Sequence, residues 1–331
     1  MLTGLVVICA AALLTALGTL FVLRNAVRLG LVAAPNARSS HIRPTPTGGG
    51  IGIVAGGTLA GAAAAIALGG WAGWAIVGAG LGIAAIGLLD DLRQVNWLLR
   101  LGAQFAAASV VVLAAPPAPA LLAVAAILAG VAWINIFNFM DGIDGLAGSE
   151  GAFIFGAAAL LAATGQTDPV NSASVWWLTT LAVVCVVFVG FNWPPARVFM
   201  GDVASTWLGL TIGALALVTI AEGALSLWQW FILVALFASD GGMTLARRLV
   251  QRERVFEAHR RHAYQKLARK FGRHMPVTAG AVAINLLWLL PLSWVAGRLP
   301  EHGLLIAVLA YLPLLALMVA TRAGAPEPGE I

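Results

Sequence analysis

The stretch ALLAVAAILAGVAWINIFNFMDGIDG, residues 120–145, joins a long apolar run to a group of polar side chains at its end. The apolar part, 120–138, is close to the roughly 20 residues that an α-helix needs to cross a bilayer. Four oxygen-bearing side chains then recur at every third residue: Asn135, Asn138, Asp141 and Asp144. On a helix this spacing places them along one face. Such a face predicts a bound cation or nucleotide, with a purely structural stripe as the alternative.

The whole chain has the composition of a membrane protein. Of its 331 residues, 60% are hydrophobic and 10% are charged, whereas a soluble domain carries about 25% charged residues. We predict an all-α, polytopic integral membrane protein with about eleven transmembrane helices in a single domain, residues 1–322, followed by a disordered tail, 323–331. The approximate cores of the predicted spans are 2–23, 50–69, 71–89, 101–115, 120–138, 151–165, 174–191, 203–221, 225–246, 276–297 and 303–320.

The basic residues predict how the spans are oriented. If the N-terminus lies outside, every one of the 19 Lys and Arg residues except Arg298 falls in a loop or tail on the cytoplasmic side, as the positive-inside rule requires. We therefore predict an external N-terminus and a cytoplasmic C-terminus. The predicted cytoplasmic active-site loops are 24–48, 90–100, 139–150, 192–202 and 247–275. The net charge of +5 then reflects membrane topology and does not indicate a nucleic-acid partner.

The aspartates are gathered on that same predicted side. Six of the chain's aspartates lie at or near the cytoplasmic ends of spans: Asp90, Asp91, Asp141, Asp144, Asp202 and Asp240. A charged residue costs about 2.5–3.5 kcal/mol to insert at a helix centre, so we interpret the group as a divalent-metal site that handles a diphosphate. Asp90 and Asp91 point about 100° apart if both are helical. One of them can therefore work while the other holds a loop or a cation.

Two further loops add candidate substrate-binding residues. In the first, His41 and Thr45 precede three glycines at the start of a helix, where free backbone N–H groups favour an anion. A flexible loop before a helix is the alternative. In the second, Phe199 is a candidate to stack on a flat base, or an ordinary interfacial aromatic. Asp202 then opens a helix, either as a metal ligand or as a cap.

The last cytoplasmic loop is basic and contains two histidines. His259 and His262 are three residues apart, so on a helix they share a face. Arg260 lies between them and suits a phosphate. A basic helix on the membrane surface is the alternative. A zinc site is disfavoured because no cysteine lies nearby.

These motifs, in this order, resemble the polyprenyl-phosphate N-acetylhexosamine-1-phosphate transferases. The resemblance runs from about residue 35 to residue 265. Its motifs are Pro-Asn-x-Arg-Ser-Ser-His, Pro-Thr-Pro-Thr-Gly-Gly-Gly, the pair Asp90-Asp91, Asn-x-x-Asn-x-x-Asp-Gly-x-Asp-Gly-Leu, Phe-Met-Gly-Asp202 and His-x-x-His. The first and last loops are most similar to the branch that initiates O-antigen synthesis. The last loop departs from the three-histidine version of the enzymes that make peptidoglycan lipid I.

The resemblance implies a reaction in which an N-acetylated sugar 1-phosphate passes from a UDP-sugar to undecaprenyl phosphate, giving undecaprenyl-diphospho-sugar and UMP. It implies Mg²⁺, with Mn²⁺ as a substitute, held by Asp202 and Asn138. The implied catalytic residues are Asp90, Asp91 and Asp202. The implied substrate-binding residues are His41, Thr45, Asn135, Asp141, Asp144, Phe199, His259, Arg260 and His262.

The implied partners are the undecaprenyl phosphate lipid and one of UDP-N-acetylfucosamine (UDP-FucNAc), UDP-N-acetylquinovosamine (UDP-QuiNAc) and UDP-N-acetylglucosamine (UDP-GlcNAc). The implied location is the bacterial inner membrane, with the site on its cytoplasmic face, and the family allows a homodimer. A secondary transporter with carboxylate ion sites is the rival interpretation. Such sites usually lie in broken helices near the bilayer midplane, whereas the acids here are at span ends.

Overall fold

The computed structural model describes residues 2–34, 44–165, 172–253 and 260–326. Within these ranges ten helices are long and apolar enough to cross a membrane, and a bent pair makes eleven if it is counted as one span. The first eight helices are α1 (Leu2–Leu29), α2 (Ile51–Leu68), α3 (Ala72–Arg93), α4 (Trp97–Ala114), α5 (Ala120–Phe139), α6 (Leu146–Gly165), α7 (Ala173–Asn192) and α8 (Asp202–Ala221). The predicted all-α membrane fold is confirmed, whereas the orientation of its termini stays a prediction.

The remaining helices are shorter or interrupted. They are α9 (Leu227–Leu233), α10 (Ala235–Val250), α11 (Ala263–Phe271), α12 (Met275–Ile284), α13 (Leu290–Arg298) and α14 (Gly303–Ala320). A π-helical turn, Asn285–Leu289, joins α12 to α13 in one span.

The span predicted at 225–246 is not straight. It consists of α9 and α10, which meet at Val234 with a bend of 74°. Tyr311 on α14 donates a hydrogen bond of 3.0 Å to the carbonyl oxygen of Phe231, in the last turn before the break. Neither Pro nor Gly stands at the break, so the apolar sequence gave no sign of it.

Helix α8 lies at the centre of the packing at the end of the bundle where the aspartates gather. It is one of the two most buried spans, with α6, and it packs against α3, α4 and α5. Gly87 allows α3 to approach the start of α8 closely, since a Cβ there would lie 2.3 Å from the carbonyl oxygen of Asp202. The polar ends of α3, α5 and α8 therefore meet around Asp202.

Two features depart from the simple picture of helices and loops. The strands β1 (Val32–Ala33) and β2 (Thr45–Pro46) form a short antiparallel pair, with Ala33 opposite Thr45. The tail predicted to be disordered from residue 323 is packed at its beginning, because Ala323 is fully buried. That part of the prediction is wrong, and residues 327–331 lie outside the described residues.

Candidate active site

The first residue of α8, Asp202, is the centre of the candidate site. Its Oδ1 accepts a hydrogen bond of 3.0 Å from Asn138 Nδ2, at the end of α5. Its Oδ2 lies 3.3 Å from Arg100 Nη1, in the first turn of α4. Asn138 also donates to Ser205 Oγ at 2.8 Å, which fixes the end of α5 against α8. Two other spans, α4 and α5, thus present polar groups to the carboxylate of Asp202.

Asp91 holds the start of α8 in place. Its Oδ1 accepts from the backbone N–H of Asp202 at 2.9 Å, and its Oδ2 accepts from that of Val203 at 3.1 Å. Because the first N–H groups of a helix have no partner within the helix, a carboxylate there acts as a cap and also favours the positive end of the helix dipole. Asp91 therefore caps a helix that belongs to another part of the chain, and it leaves the Asp202 side chain available for other contacts.

Asp90 faces a different set of partners. Its Oδ2 lies 2.5 Å from Arg100 Nη1, and its Oδ1 accepts from the backbone N–H of Val95 at 2.6 Å. Arg100 therefore bridges Asp90 and Asp202. The adjacent aspartates do divide their work, as their angular separation on α3 suggested: Asp90 shares an arginine with Asp202, whereas Asp91 positions Asp202.

The donor atoms around Asp202 fit a hard divalent cation. No described residue donates a hydrogen bond to the amide oxygen of Asn138 or to the carboxylate of Asp141. Both are oxygen donors of the kind that Mg²⁺ prefers, and Mg²⁺ usually keeps only one or two protein carboxylates beside substrate phosphates. Within the described ranges no three His, Cys, Asp or Glu side chains form a metal cage. The oxygen atoms of Asn138 and Asp141 therefore fit a divalent cation, whose presence stays a prediction.

The electrostatics of Asp141 support the same interpretation. This residue follows α5 in the loop before α6. Burial raises the pKa of its carboxyl well above the usual range, and the nearby charges of Asp202, Asp91 and Asp144 raise the pKa further. Like charges held this close repel one another, so a bound cation would stabilise the ionised group.

Asn135 lies in the same cleft but is paired within the protein. Its Nδ2 donates to Gln104 Oε1 at 2.6 Å and to the carbonyl oxygen of Val131 at 2.8 Å. The residues that line the cleft include Trp97, Arg100, Gln104, Asn135, Asn138 and Asp202. The amide pair therefore forms one polar wall of the cleft next to the aspartate cluster.

Asp144 is built into the surrounding loops. Its Oδ2 accepts from the backbone N–H of Ala196 at 3.0 Å, and its Oδ1 lies 3.1 Å from His274 Nδ1 at the start of α12. The hydroxyl of Thr278 donates to its backbone oxygen at 2.7 Å. Asp144 thus joins three loops at the polar end, and its predicted contact with the nucleotide stays a prediction.

The glycine-rich loop is used differently from the anion cradle predicted for it. The N–H groups of Gly49 and Gly50 donate to the backbone oxygens of Phe199 and Met200, at 2.9 and 3.0 Å. These two N–H groups are therefore not available to an anion, because they hydrogen-bond to the segment before α8. The same contacts bring Phe199 near β2, since its N–H donates to the Pro46 oxygen, next to Thr45. The predicted substrate-binding residue His41 lies outside the described residues.

His262 does not lie within a helix, so the shared helix face that the spacing suggested is not seen from its side. His262 is the residue before α11 and is 2% exposed, with its Nδ1 3.2 Å from Asp240 Oδ1. Asp240 also accepts from the backbone N–H groups of Ala263 and Tyr264, at 2.9 and 3.0 Å. His262 is therefore part of a buried cap. Arg260 is partly exposed, and His259 lies outside the described residues.

Arg100 and Gln104 are residues of the site that the sequence interpretation missed. The sequence interpretation placed Arg100 in the loop before the predicted span 101–115 and assigned Gln104 no role. Both face the cleft from α4, one helical turn apart. Because the predicted span began after Arg100, the sequence did not indicate that this arginine belongs to a spanning helix, where ionisable residues are expensive and usually functional.

Comparison with known proteins agrees with this arrangement. The sequence model of the family described as glycosyl transferase family 4 matches residues 73–220, which include Asp90, Arg100, Asn138 and Asp202. The chain is also similar to a decaprenyl-phosphate N-acetylglucosaminephosphotransferase of Mycolicibacterium smegmatis, with 29% identity over 243 residues. The similarity covers 65% of this chain and 59% of the relative, so the chain spans about three fifths of that protein's length.

The class of protein follows from these findings together. The chain is a multi-span helical membrane protein with a cleft at the ends of α3, α5 and α8, lined in part by the carboxylate of Asp202. Residues 73–220 of this chain match the model of glycosyl transferase family 4. This match and the Mycolicibacterium smegmatis relative support the family predicted from the motifs, and the O-antigen-initiating branch stays a prediction.

Proposed function

We propose that this protein transfers an N-acetylated sugar 1-phosphate from a UDP-sugar to a polyprenyl phosphate. The main support for this proposal is one observation: four different spans bring together, at one end of the bundle, the side chains of Asp90, Arg100, Asn138 and Asp202. The name of the Mycolicibacterium smegmatis relative describes a transfer of this class. It makes UDP-GlcNAc the first donor to test, ahead of UDP-FucNAc and UDP-QuiNAc.

The reaction is a displacement at phosphorus. A phosphate oxygen of the lipid attacks the sugar-bearing phosphorus of the donor, the bond from that phosphorus to the bridging oxygen breaks, and UMP leaves with that oxygen. The products are the polyprenyl-diphospho-sugar and UMP. Mg²⁺, or Mn²⁺ in its place, would supply charge neutralisation at the diphosphate and at the departing UMP.

The chain's own residues suit these tasks. Asp202 and Asn138 would hold the cation, with Asp141 next to them. Asp90 would accept the proton of a lipid phosphate or orient it, and Arg100 would hold a phosphate oxygen through its guanidinium group, which pairs well with such anions. Because Arg100 already bridges Asp90 and Asp202, it can bring the acceptor phosphate beside the cation site.

An apolar cavity suits the tail of a lipid acceptor. It has a volume of about 450 Å³ and lies between α4, α5, α8, α9 and α10. On α4, Ala108 in this cavity is one helical turn from Gln104 in the polar cleft. A phosphate at Arg100 and a hydrocarbon chain in the cavity would therefore lie along one helix. Undecaprenyl phosphate in the bacterial inner membrane, with the site facing the cytoplasm, is the acceptor and setting that we propose.

The broken span argues against the rival transporter function. Ion sites of transporters are commonly built from the polar ends of broken helices at the bilayer midplane. Here the break at Val234 borders the apolar cavity, beside Trp230, Phe231 and Ala238. The carboxylates that could bind an ion are instead at the ends of spans.

The test uses purified protein with undecaprenyl phosphate and each UDP-sugar, and mass spectrometry of the lipid product. We expect one donor to give a polyprenyl-diphospho-sugar and to support Mg²⁺-dependent exchange of labelled UMP into the UDP-sugar. A transporter would give neither product nor exchange. Formation of product in excess chelator would remove the cation from the proposal.

A further inference from the structure

The segment after the last span, residues 321–326, returns to the polar end of the bundle instead of leaving it. Ala323 is fully buried and Ala325 is 8% exposed. Such burial of small side chains directly after a transmembrane helix shows that the segment is packed against other elements. We name residues 321–326 the strap.

The strap is held by its backbone. Lys266 Nζ on α11 donates to the carbonyl oxygens of Arg322 and Ala325, at 2.7 and 2.9 Å. Arg247 on α10 donates to the carbonyl oxygen of Ala323. In return, the N–H of Gly324 donates to the carbonyl oxygen of Arg261 at 2.8 Å. The strap thus ties together α10, α11 and the residue just before His262.

Residues 260–262 are also held by a second set of contacts, which does not involve the strap. Arg261 Nη1 lies 2.6 and 2.9 Å from the two carboxylate oxygens of Glu253, and Arg248 Nε, on α10, lies 3.1 Å from Glu253 Oε2. Two independent sets of contacts therefore converge on Arg261. Its neighbour Arg260 is the partly exposed basic residue for which a phosphate contact was predicted.

We propose that the strap is a positioning element for the donor end of the active site: it fixes residues 260–262 so that Arg260 is presented to the phosphates of the UDP-sugar. The inference rests on the proposed transferase function. The positioning role predicts an effect on the affinity for the donor and little effect on the affinity for the lipid acceptor, whose proposed contacts are on α3 and α4.

Gly324 provides the first test, because a side chain at this position would be both strained and crowded. Its φ is +78°, and a Cβ would lie 2.9 Å from the carbonyl oxygen of Thr244. Gly324→Ala should therefore both strain the backbone and push the strap off α10. Gly223→Ala is the matched control, since Gly223 has a φ of +70° with nothing within 4 Å of an added Cβ, at the opposite end of the bundle.

Lys266→Met provides a second test that does not depend on a strained backbone. The methionine keeps the length of the side chain but removes both hydrogen bonds to the strap. Lys270→Met is the matched control, because Lys270 is an exposed lysine on the same helix. Both variants lose one positive charge, so a difference between them reports the contacts of Lys266, which include its two hydrogen bonds to the strap.

Two readouts separate the strap from the proposed function. Hydrogen exchange of residues 260–268 should become roughly tenfold faster in Gly324→Ala and Lys266→Met, and the donor KM should rise roughly tenfold, since charged hydrogen bonds of this strength are lost. The lipid KM and both control variants should change little. Unchanged exchange would overturn the strap, and faster exchange with an unchanged donor KM would overturn its positioning role. If the wild type transfers no sugar phosphate, the proposed function fails, and the exchange measurement still decides whether the strap holds the loop.

Discussion

Two aspartates at the same end of the bundle do the same structural job in very different surroundings. Asp91 accepts from two N–H groups at the start of α8, and Asp240 accepts from two at the start of α11. The surroundings of Asp240 are closed to solvent, because Asp240 and its partner His262 are each 2% exposed. Around Asp91 the capped helix begins with a second acid, Asp202, which lines an open cleft. From this comparison we expect a capping carboxylate to belong to the candidate site where the helix that it caps also presents a polar side chain to the cleft.

The strongest way to break this comparison is Asp202→Asn. We expect kcat to fall by at least about 100-fold while the protein stays folded, because Asp202 is the proposed cation ligand, and losses of this size follow when a group that stabilises transition-state charge is removed. Asparagine caps helices well, so a residue that only began the helix would tolerate the change. Transfer is measured at saturating Mg²⁺. Near wild-type turnover would show that Asp202 is as structural as Asp240.

Asp90→Asn tests the neighbour that faces Arg100. We expect kcat to fall by roughly 50-fold and the donor KM to change less than about threefold, because a group that acts on the lipid phosphate contributes mainly in the transition state. Steady-state kinetics with varied UDP-sugar separate the two parameters. If the dominant change were a weaker affinity for the donor, Asp90 would belong to the nucleotide side of the cleft.

Two substitutions of Asp91 distinguish a role in capping α8 from a direct catalytic role. Asp91→Asn keeps one acceptor for the start of α8 and should retain roughly a third of the activity, whereas Asp91→Ala removes both and should cost about tenfold. Activities are compared at equal amounts of folded protein, judged by size-exclusion profile. Equal loss in the two variants would assign Asp91 the direct catalytic role that the family resemblance implied.

The sequence carried more of the fold than of the site. Long apolar runs and basic loops predicted the spans because lipid imposes the same length and polarity on every crossing helix. The bend at Val234 could not be foreseen, because its contact with Tyr311 comes from a residue far along the chain. The roles within the pair Asp90 and Asp91 were left open for the same reason. The partners that separate them are supplied by α4 and α8, and local spacing does not encode such contacts.

Asp240→Asn tests the other half of the comparison, the buried aspartate that caps α11. Asparagine cannot accept all of the hydrogen bonds that reach this buried carboxylate, so we expect a loss of about 1–3 kcal/mol in stability. The effect on kcat should be smaller, about threefold, since Asp240 lies outside the cleft. Thermal unfolding in detergent measures the loss. Glu222→Gln, an exposed acid at the far end of α8, is the control and should leave the unfolding temperature unchanged.

We expect the smallest effect on activity from a change at Glu253, whose carboxylate pairs at the surface with Arg261, next to the buried His262. Hydrogen bonds from Arg261, and then from Arg248, lower the pKa of Glu253 below its ordinary value of 4.5. A lowered folded-state pKa means that the contribution of this group is fully present above 4.5 and is lost as the pH falls through the lowered value. Wild-type hydrogen exchange at Arg261, corrected for the intrinsic pH dependence of exchange, should therefore stay constant from neutral pH down to that point. Glu253→Gln should already show slightly faster exchange at neutral pH, with a correspondingly small loss of activity of less than about twofold, as is usual for a solvent-accessible ion pair. Identical exchange in the two proteins at neutral pH would mean that the strap alone holds the loop.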